Sequence, residues 1–328
     1  MSNRTTRRDF MKTTALGLAA AAVPSRAASQ GIPTRPFGNT GEQVSVLGVG
    51  GHHFGRIRDE QEAIRFLRIA IDEGVTFLDN AYEYHDGRSE EVMGKALEGG
   101  YREKAFLMTK HHGRKDKKTA MKHLEASLRR LKTEVIDLWQ FHEVVYEADP
   151  DMIFSPGGAI EAAEEAKQQG KVRYIGFTGH KDPKIHLDML SRDYAWDAVQ
   201  MPINPLDAHF KSFQKEVLPV LLERNIAPLA MKTLGDGYVM RANVVEPAEA
   251  LRYAWSQPIA TLISGMESIE LLRTNIALAR GFTPMSKEEQ QTLLARTKDA
   301  AMTGEYEPFK TTRMFDGRLG REIHGITG

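Results

Sequence analysis

Asp79, Tyr84, Lys110 and His142 are an acid, a phenol, an ammonium and an imidazole, each at or just beyond the end of a short apolar run. A phenol ordinarily titrates near 10, too high for easy proton exchange near neutrality. A neighbouring ammonium favours the phenolate and lowers that value. A carboxylate paired with the same lysine keeps it charged and placed. An imidazole can hold a substrate oxygen or help its proton move. Together such groups can protonate a carbonyl oxygen as hydride reaches its carbon, or take the proton of an alcohol in reverse. Singly, each has an ordinary reading. Asp79 suits a turn or helix cap, Tyr84 a loop aromatic with Tyr82 as competitor, Lys110 a solvated rim and His142 a core. Their joint arrangement on consecutive strand ends points to one site.

The elements that must position these groups alternate. Strand candidates run over 46–50, 75–79, 105–109, 136–141, 174–178, 198–201, 227–231 and 261–264. Helix candidates lie near 60–73, 88–98, 117–131, 158–169, 183–191, 212–224, 247–256 and 268–279. Asp59 with Glu62, Pro247, and Ser286 with Glu289 are helix-start signals, the last for one extra C-terminal helix. Eight such repeats without a Pro/Gly-rich linker predict an α/β fold, a single (β/α)8 TIM barrel spanning 31–328. Reactive groups in that fold sit at strand C-terminal ends, which puts Asp79, Lys110 and His142 on strands two, three and four. A doubly wound sheet is the competing fold. It would need a G-x-G-x-x-G turn, and Val49-Gly50-Gly51-His52-His53-Phe54-Gly55 is not one. Residues 35–45 predict a short hairpin able to cap the barrel bottom. The tail from Gly304 lacks a helical period; it either folds over the mouth or frays.

Charge is balanced at 44 basic against 44 acidic residues, and no basic run points to nucleic acid. There is no cysteine, which excludes disulfides, thiolate metal sites and a thiol nucleophile. Arg7-Arg8-Asp9-Phe10-Met11-Lys12, then an Ala-rich run broken by Pro24, then Ser25-Arg26-Ala27, resemble a twin-arginine (Tat) signal peptide over 1–30. The apolar segment is too short to span a bilayer. The expectation is export to the periplasm through the Tat machinery, with cleavage near Ala27.

Longer segments carry a second resemblance. Arg35-Pro36-Phe37-Gly38-Asn39-Thr40-Gly41, Phe77-Leu78-Asp79-Asn80-Ala81-Tyr82-Glu83-Tyr84 with Gly87-Arg88-Ser89-Glu90-Glu91, Met108-Thr109-Lys110 and Asp137-Leu138-Trp139-Gln140-Phe141-His142 occur in the order of the aldo/keto reductase family. The chain resembles that family over nearly the whole of residues 31–328. The resemblance implies a TIM barrel that binds nicotinamide cofactor without a Rossmann motif. It also implies a catalytic tetrad of Asp79, Tyr84, Lys110 and His142, with Tyr84 as general acid.

Cofactor contacts follow from the same resemblance. Thr178 and Gln200 stand where the carboxamide is held, although Gly179 replaces a common asparagine and Ile203 a stacking tyrosine. Met231, Lys232, Leu234, Gly235 and Gly237 resemble the pyrophosphate loop. Gly51, Gly265, Glu267 and Asn275 complete the expected contacts. Glu267 would repel a 2′-phosphate unless Arg273 compensates, so NADP(H) is expected with NAD(H) as the alternative. His53, Phe54, His111 and Trp139 are expected around a small-molecule carbonyl or alcohol substrate. Paired histidines alternate faces in an extended chain, so one of each pair at most should face the site. No metal is expected, because no H-x-x-x-H helix or carboxylate set accompanies the histidines. Two other functions fit the same residues: an exported barrel that holds cofactor as a sensor, and a sugar epimerase or lyase with transient redox.

Overall fold

The computed structural model describes residues 31–326, and the expected signal peptide at 1–30 lies outside the described residues. Strands β1 (Thr34–Pro36) and β2 (Gln43–Ser45) form an antiparallel hairpin. Eight parallel strands follow: β3 (Leu47–Gly50), β4 (Phe77–Asp79), β5 (Phe106–His111), β6 (Ile136–Phe141), β7 (Val172–Thr178), β8 (Ala198–Pro202), β9 (Ala227–Met231) and β10 (Thr261–Ser264). They pair in chain order, and β10 closes on β3. The expected (β/α)8 barrel is therefore observed, and the doubly wound alternative is excluded.

Strand parity separates two cores. Successive side chains point to opposite faces of a strand. Phe106 and Met108 join Phe37, Phe77, Leu138, Ala198, Leu229 and Ile263 inside the barrel. Leu107 packs outward against the helical layer with Trp139, Phe141 and Ile175. The hairpin plugs the barrel bottom: the Phe37 ring lies 4.7 Å from Phe106 and 6.4 Å from Phe77, centroid to centroid.

Helices form where the capping chemistry predicts them. Asp59 accepts from Glu62 N, Ser268 from Leu271 N, and Ser286 with Glu289 makes a reciprocal capping box. The candidate at 212–224 breaks into Phe213–Glu216 and Leu218–Glu223, because Pro219 lacks an N–H and crowds the carbonyl four residues back. Residues 51–54, between the first strand and helix candidates, form a short helix. The tail carries two short helices, Pro308–Thr311 and Arg318–Ile323, and packs on the barrel mouth. No described helix is long and apolar enough to cross a membrane.

Candidate active site

Lys110 lies on the inner face of β5, one residue before its end and 1% exposed. Its Nζ is 2.8 Å from Asp79 Oδ2 and donates to the Asn80 carbonyl at 2.7 Å. It also reaches the Tyr84 hydroxyl at 3.2 Å. Asp79, at the end of β4, is fixed from both sides. The Gly51 amide donates to Oδ1 and the Gln200 amide nitrogen to Oδ2, each at 3.3 Å. Gly51 must be glycine, since a Cβ there would fall 2.4 Å from the Asp79 carbonyl oxygen.

Tyr84 opens a tight turn over Tyr84–Gly87 in which His85 and Asp86 take positive φ values of 52° and 56°. His85 Nε2 meets the His52 carbonyl at 2.8 Å, and Arg130 donates to the Tyr82 carbonyl at 2.9 Å. These bonds hold the turn. The Tyr82 ring stacks on His123 at 3.9 Å under the Arg130 guanidinium, away from Lys110. Of the two competing phenols, Tyr84 alone bonds Lys110. His142 lies edge-on to Tyr84, ring centroids 5.5 Å apart, and His52 approaches it at 5.3 Å.

The electrostatics depart from the expectation drawn for Tyr84. Burial, with the charges of Asp79, Glu143 and Glu83, pushes its phenol well above 10 despite the ammonium beside it. In the ligand-free site Tyr84 therefore keeps its proton. Burial lowers the Lys110 ammonium, and Asp79 opposes that shift. Burial and the nearby His112 and Lys110 carry His142 well below 6.5, so its ring is neutral. A neutral imidazole can donate one hydrogen bond and accept another.

A cavity of about 690 Å³ opens above these groups. Of the expected cofactor residues, Thr178, Gln200, Met231, Lys232, Leu234, Gly235, Gly237 and Gly265 line it; Gly51, Glu267 and Asn275 do not. Gly51 lies behind Asp79. The Asn275 amide is spent on Ser264 Oγ at 2.9 Å, so Ser264 faces the cavity in its place. Glu267 pairs with Arg56 at 2.6 Å, and Arg273, exposed on its helix, is not its partner. Arg56 and His53 also meet Asp236, at 3.4 Å and 2.8 Å. Burial raises the Asp236 carboxyl, yet these two donors outweigh it and carry it down to about 2.

Three of the four expected substrate residues are misplaced. His53 lines the cavity. Phe54 is fully buried against Phe66, because the short helix at 51–54 turns it inward to the helical layer. His111 and Trp139 stack on each other at 4.0 Å on the outer face of β5 and β6. Each is one position out of parity with the groups that reach the cavity. His52 and His53 both line it, contrary to the alternation expected of an extended pair, since 51–54 is helical.

Sequence reasoning named none of the residues of the upper wall as site residues, although a tail folded over the mouth was one of its two expectations. Glu83, His85, Asp86, Glu143, His180 and tail residues Met314, Phe315, Asp316, Gly317 and Arg318 all border the cavity. Burial and the nearby Glu83 push Glu143 up to about 8. Burial would raise Glu83, but the His112 contact lowers it overall. Tyr146 donates to Asp316 at 2.8 Å, which Lys181 also holds at 2.6 Å. Glu83 and Glu143 adjoin Tyr84 and His142 in sequence, and that adjacency was the available signal; nothing local places the tail.

Comparisons with known proteins agree with this geometry. Residues 46–250 match the model described as "Aldo/keto reductase family". An uncharacterized oxidoreductase of Bacillus subtilis, YqkF, is 27% identical over 310 residues, covering 80% of this chain and 96% of that protein. The apo form of an aldo-keto reductase of Bacillus halodurans superposes with a TM-score of 0.66 at 26% identity, covering 81% of this chain and 96% of the other. An aldo/keto reductase of Klebsiella pneumoniae, solved with NADP and acetate, gives a TM-score of 0.66 at 23% identity, covering 81% and 95%. The closed barrel, the ordered strand ends and the family match lead to one assignment: the chain belongs to the aldo/keto reductase family of oxidoreductases.

Proposed function

We propose that this protein reduces an aldehyde or ketone to an alcohol, or runs the reverse, with Tyr84 as the proton donor and acceptor. The observation that carries the reading is the Lys110 ammonium bridging Asp79 and the Tyr84 hydroxyl on the floor of an open cavity. The residues present suit a nicotinamide. Gln200 Oε1 is buried without a partner, and the Thr178 hydroxyl meets only the Met231 sulfur, at 3.9 Å. A ring carboxamide would satisfy both. Lys232, on the same wall, suits the pyrophosphate.

When bound, the nicotinamide supplies hydride to the carbonyl carbon or takes it from the alcohol. The chain does the rest. Tyr84 gives its proton to the carbonyl oxygen. Lys110 stabilises the phenolate left behind, and Asp79 keeps that ammonium charged and in place. Neutral His142 holds the same oxygen by a hydrogen bond. Burial of the site strengthens each of these interactions relative to water.

NADP(H) is the cofactor we favour. Arg56 pairs with Glu267 and Asp236, which offsets the repulsion that Glu267 alone would exert on a 2′-phosphate. The NADP-bound Klebsiella pneumoniae protein accords with this choice. Export through the Tat pathway is part of the proposal and rests on the pattern of residues 1–30; Arg7→Lys with Arg8→Lys should leave the protein in the cytoplasm on cell fractionation.

The reading is tested by supplying the full chain with NADPH carrying deuterium at the transferable position, and a panel of small aldehydes. Deuterium on the carbinol carbon of the product supports it. A folded, cofactor-binding protein that transfers no label to any carbonyl contradicts it.

A further inference from the structure

Above the floor of the site, Glu83, His112, His142 and Glu143 converge from the ends of β4, β5 and β6. Each offers one ligand atom, and these atoms lie within 4.8 Å of one another. His112 Nε2 is 2.8 Å from Glu83 Oε1, and His142 Nδ1 faces the same oxygen at 3.9 Å. The His142 side chain is only 8% exposed, yet its Nδ1 has no hydrogen-bond partner. Buried polar atoms are normally paired, so this nitrogen needs an explanation. Neither carboxylate has a lysine or arginine ion-pair partner among the described residues. A bound cation would let both neighbouring carboxylates ionise side by side in this dry setting.

We propose that Glu83, His112, His142 and Glu143 form a divalent-cation site of the zinc class. Imidazole and carboxylate together suit zinc. Bonds of about 2.0–2.1 Å require donors roughly 3.3 Å apart in a tetrahedron; the observed separations, from 2.8 Å up to 4.8 Å, bracket that spacing. The tail supplies the outer support. The Gly317 amide donates to Glu143 Oε1 and the Leu319 amide to Glu83 Oε2 at 3.4 Å. Glu83 Oε1 stays turned to the imidazoles, and Glu143 Oε2 has no donor among the described residues. Such backbone bonds orient ligating carboxylates. A Cβ at Gly317 would fall 2.2 Å from Glu83 Oε1, so a larger residue there would push that carboxylate out of its present position.

The site has a use beyond the redox chemistry proposed above. A cation on Nδ1 fixes the remaining ring proton on Nε2 of His142. His142 then becomes a donor of defined tautomer. The cation also fastens the tail across the mouth through Glu83 and Glu143.

The test uses the full chain, stripped with a chelator and titrated with zinc chloride alone by calorimetry. One equivalent should bind. Glu143→Gln and His112→Gln, each checked for folding by circular dichroism, should each weaken binding by at least roughly 100-fold, more than loss of an outer-shell partner does. In the unsubstituted protein, ¹⁵N resonances should show His142 Nδ1 shifting on zinc addition. Absence of stoichiometric binding, affinity unchanged in both variants, or a His142 spectrum indifferent to zinc would each overturn the proposal.

Discussion

Two buried lysines in this molecule have opposite surroundings. Lys310, in the tail, is wholly buried and gives all its donors to protein acceptors: Asp207 Oδ1 at 2.6 Å, the Phe210 carbonyl at 2.7 Å and Glu307 Oε2 at 3.1 Å. None of these residues borders the cavity. Lys110 is as deeply placed, but one donor goes to Tyr84, a titratable group that lines open space. A closed set of contacts makes a structural anchor. A set with one titratable member facing a cavity makes a site for chemistry. The anchor serves the site, since it fixes the tail just before residues 314–318 reach the mouth.

Substituting each lysine is the strongest way to break this contrast. Lys110→Met should lower turnover by about 10²–10⁴-fold, the range for loss of acid–base function, because Tyr84 loses the charge that stabilises its phenolate. Steady-state kinetics on the folded variant checks this. Lys310→Met should instead act on stability. It strands two buried carboxylates, which costs about 3–5 kcal/mol when one partner of a buried set is removed. Denaturant unfolding measures the loss, while turnover per folded molecule survives. If Lys310→Met impaired turnover as severely as Lys110→Met, the distinction between anchor and site would fail.

A third lysine sharpens the comparison through pH. Burial carries Lys232 from 10.5 down to about 8. Between those values the unfolded chain holds a proton that the folded one does not. The ligand-free protein should therefore gain stability as pH rises from about 8 to 10.5. Binding of an anionic cofactor runs the other way. It needs the ammonium, so affinity should fall above about pH 8, by a factor approaching tenfold per pH unit. Lys232→Met should remove both dependences, read by thermal melts and by quenching of nicotinamide fluorescence.

The smallest effect is expected at the exposed edge. Arg56 and Glu267 are 35% and 47% exposed, and pairs of that kind contribute about 0–1 kcal/mol to stability. Arg56→Ala should leave the melting temperature nearly unchanged but reduce the preference for NADPH over NADH, measured as a ratio of dissociation constants.

The floor of the site was legible in the sequence because one repeating rule governs it. A strand end followed by a helix start occurs eight times, and Asp79, Lys110 and His142 each fall at such a junction. The same strands also carry the errors at His111 and Trp139: His111 adjoins Lys110 and Trp139 lies three residues before His142, so both have the opposite parity and point away from the site. Phe54 failed for a different reason, since a one-turn helix at 51–54 turns its ring into the helical layer. The upper wall was hidden because it depends on distant pairings. Gly317 meets Glu143, and Lys310 meets Asp207, across long stretches of chain that no local pattern connects. The break at Val217 was readable from Pro219, two residues on, but a periodic apolar pattern outweighed it.

The central claim is that Tyr84, not its neighbour Tyr82, exchanges the proton. Single-turnover kinetics on Tyr84→Phe and Tyr82→Phe, with cofactor bound beforehand, tests it most directly. Tyr84→Phe should bind cofactor normally and lose the hydride-transfer step by about 10²–10⁴-fold; Tyr82→Phe, whose ring stacks on His123, should retain it. Hydride transfer at the original rate in Tyr84→Phe would contradict the account.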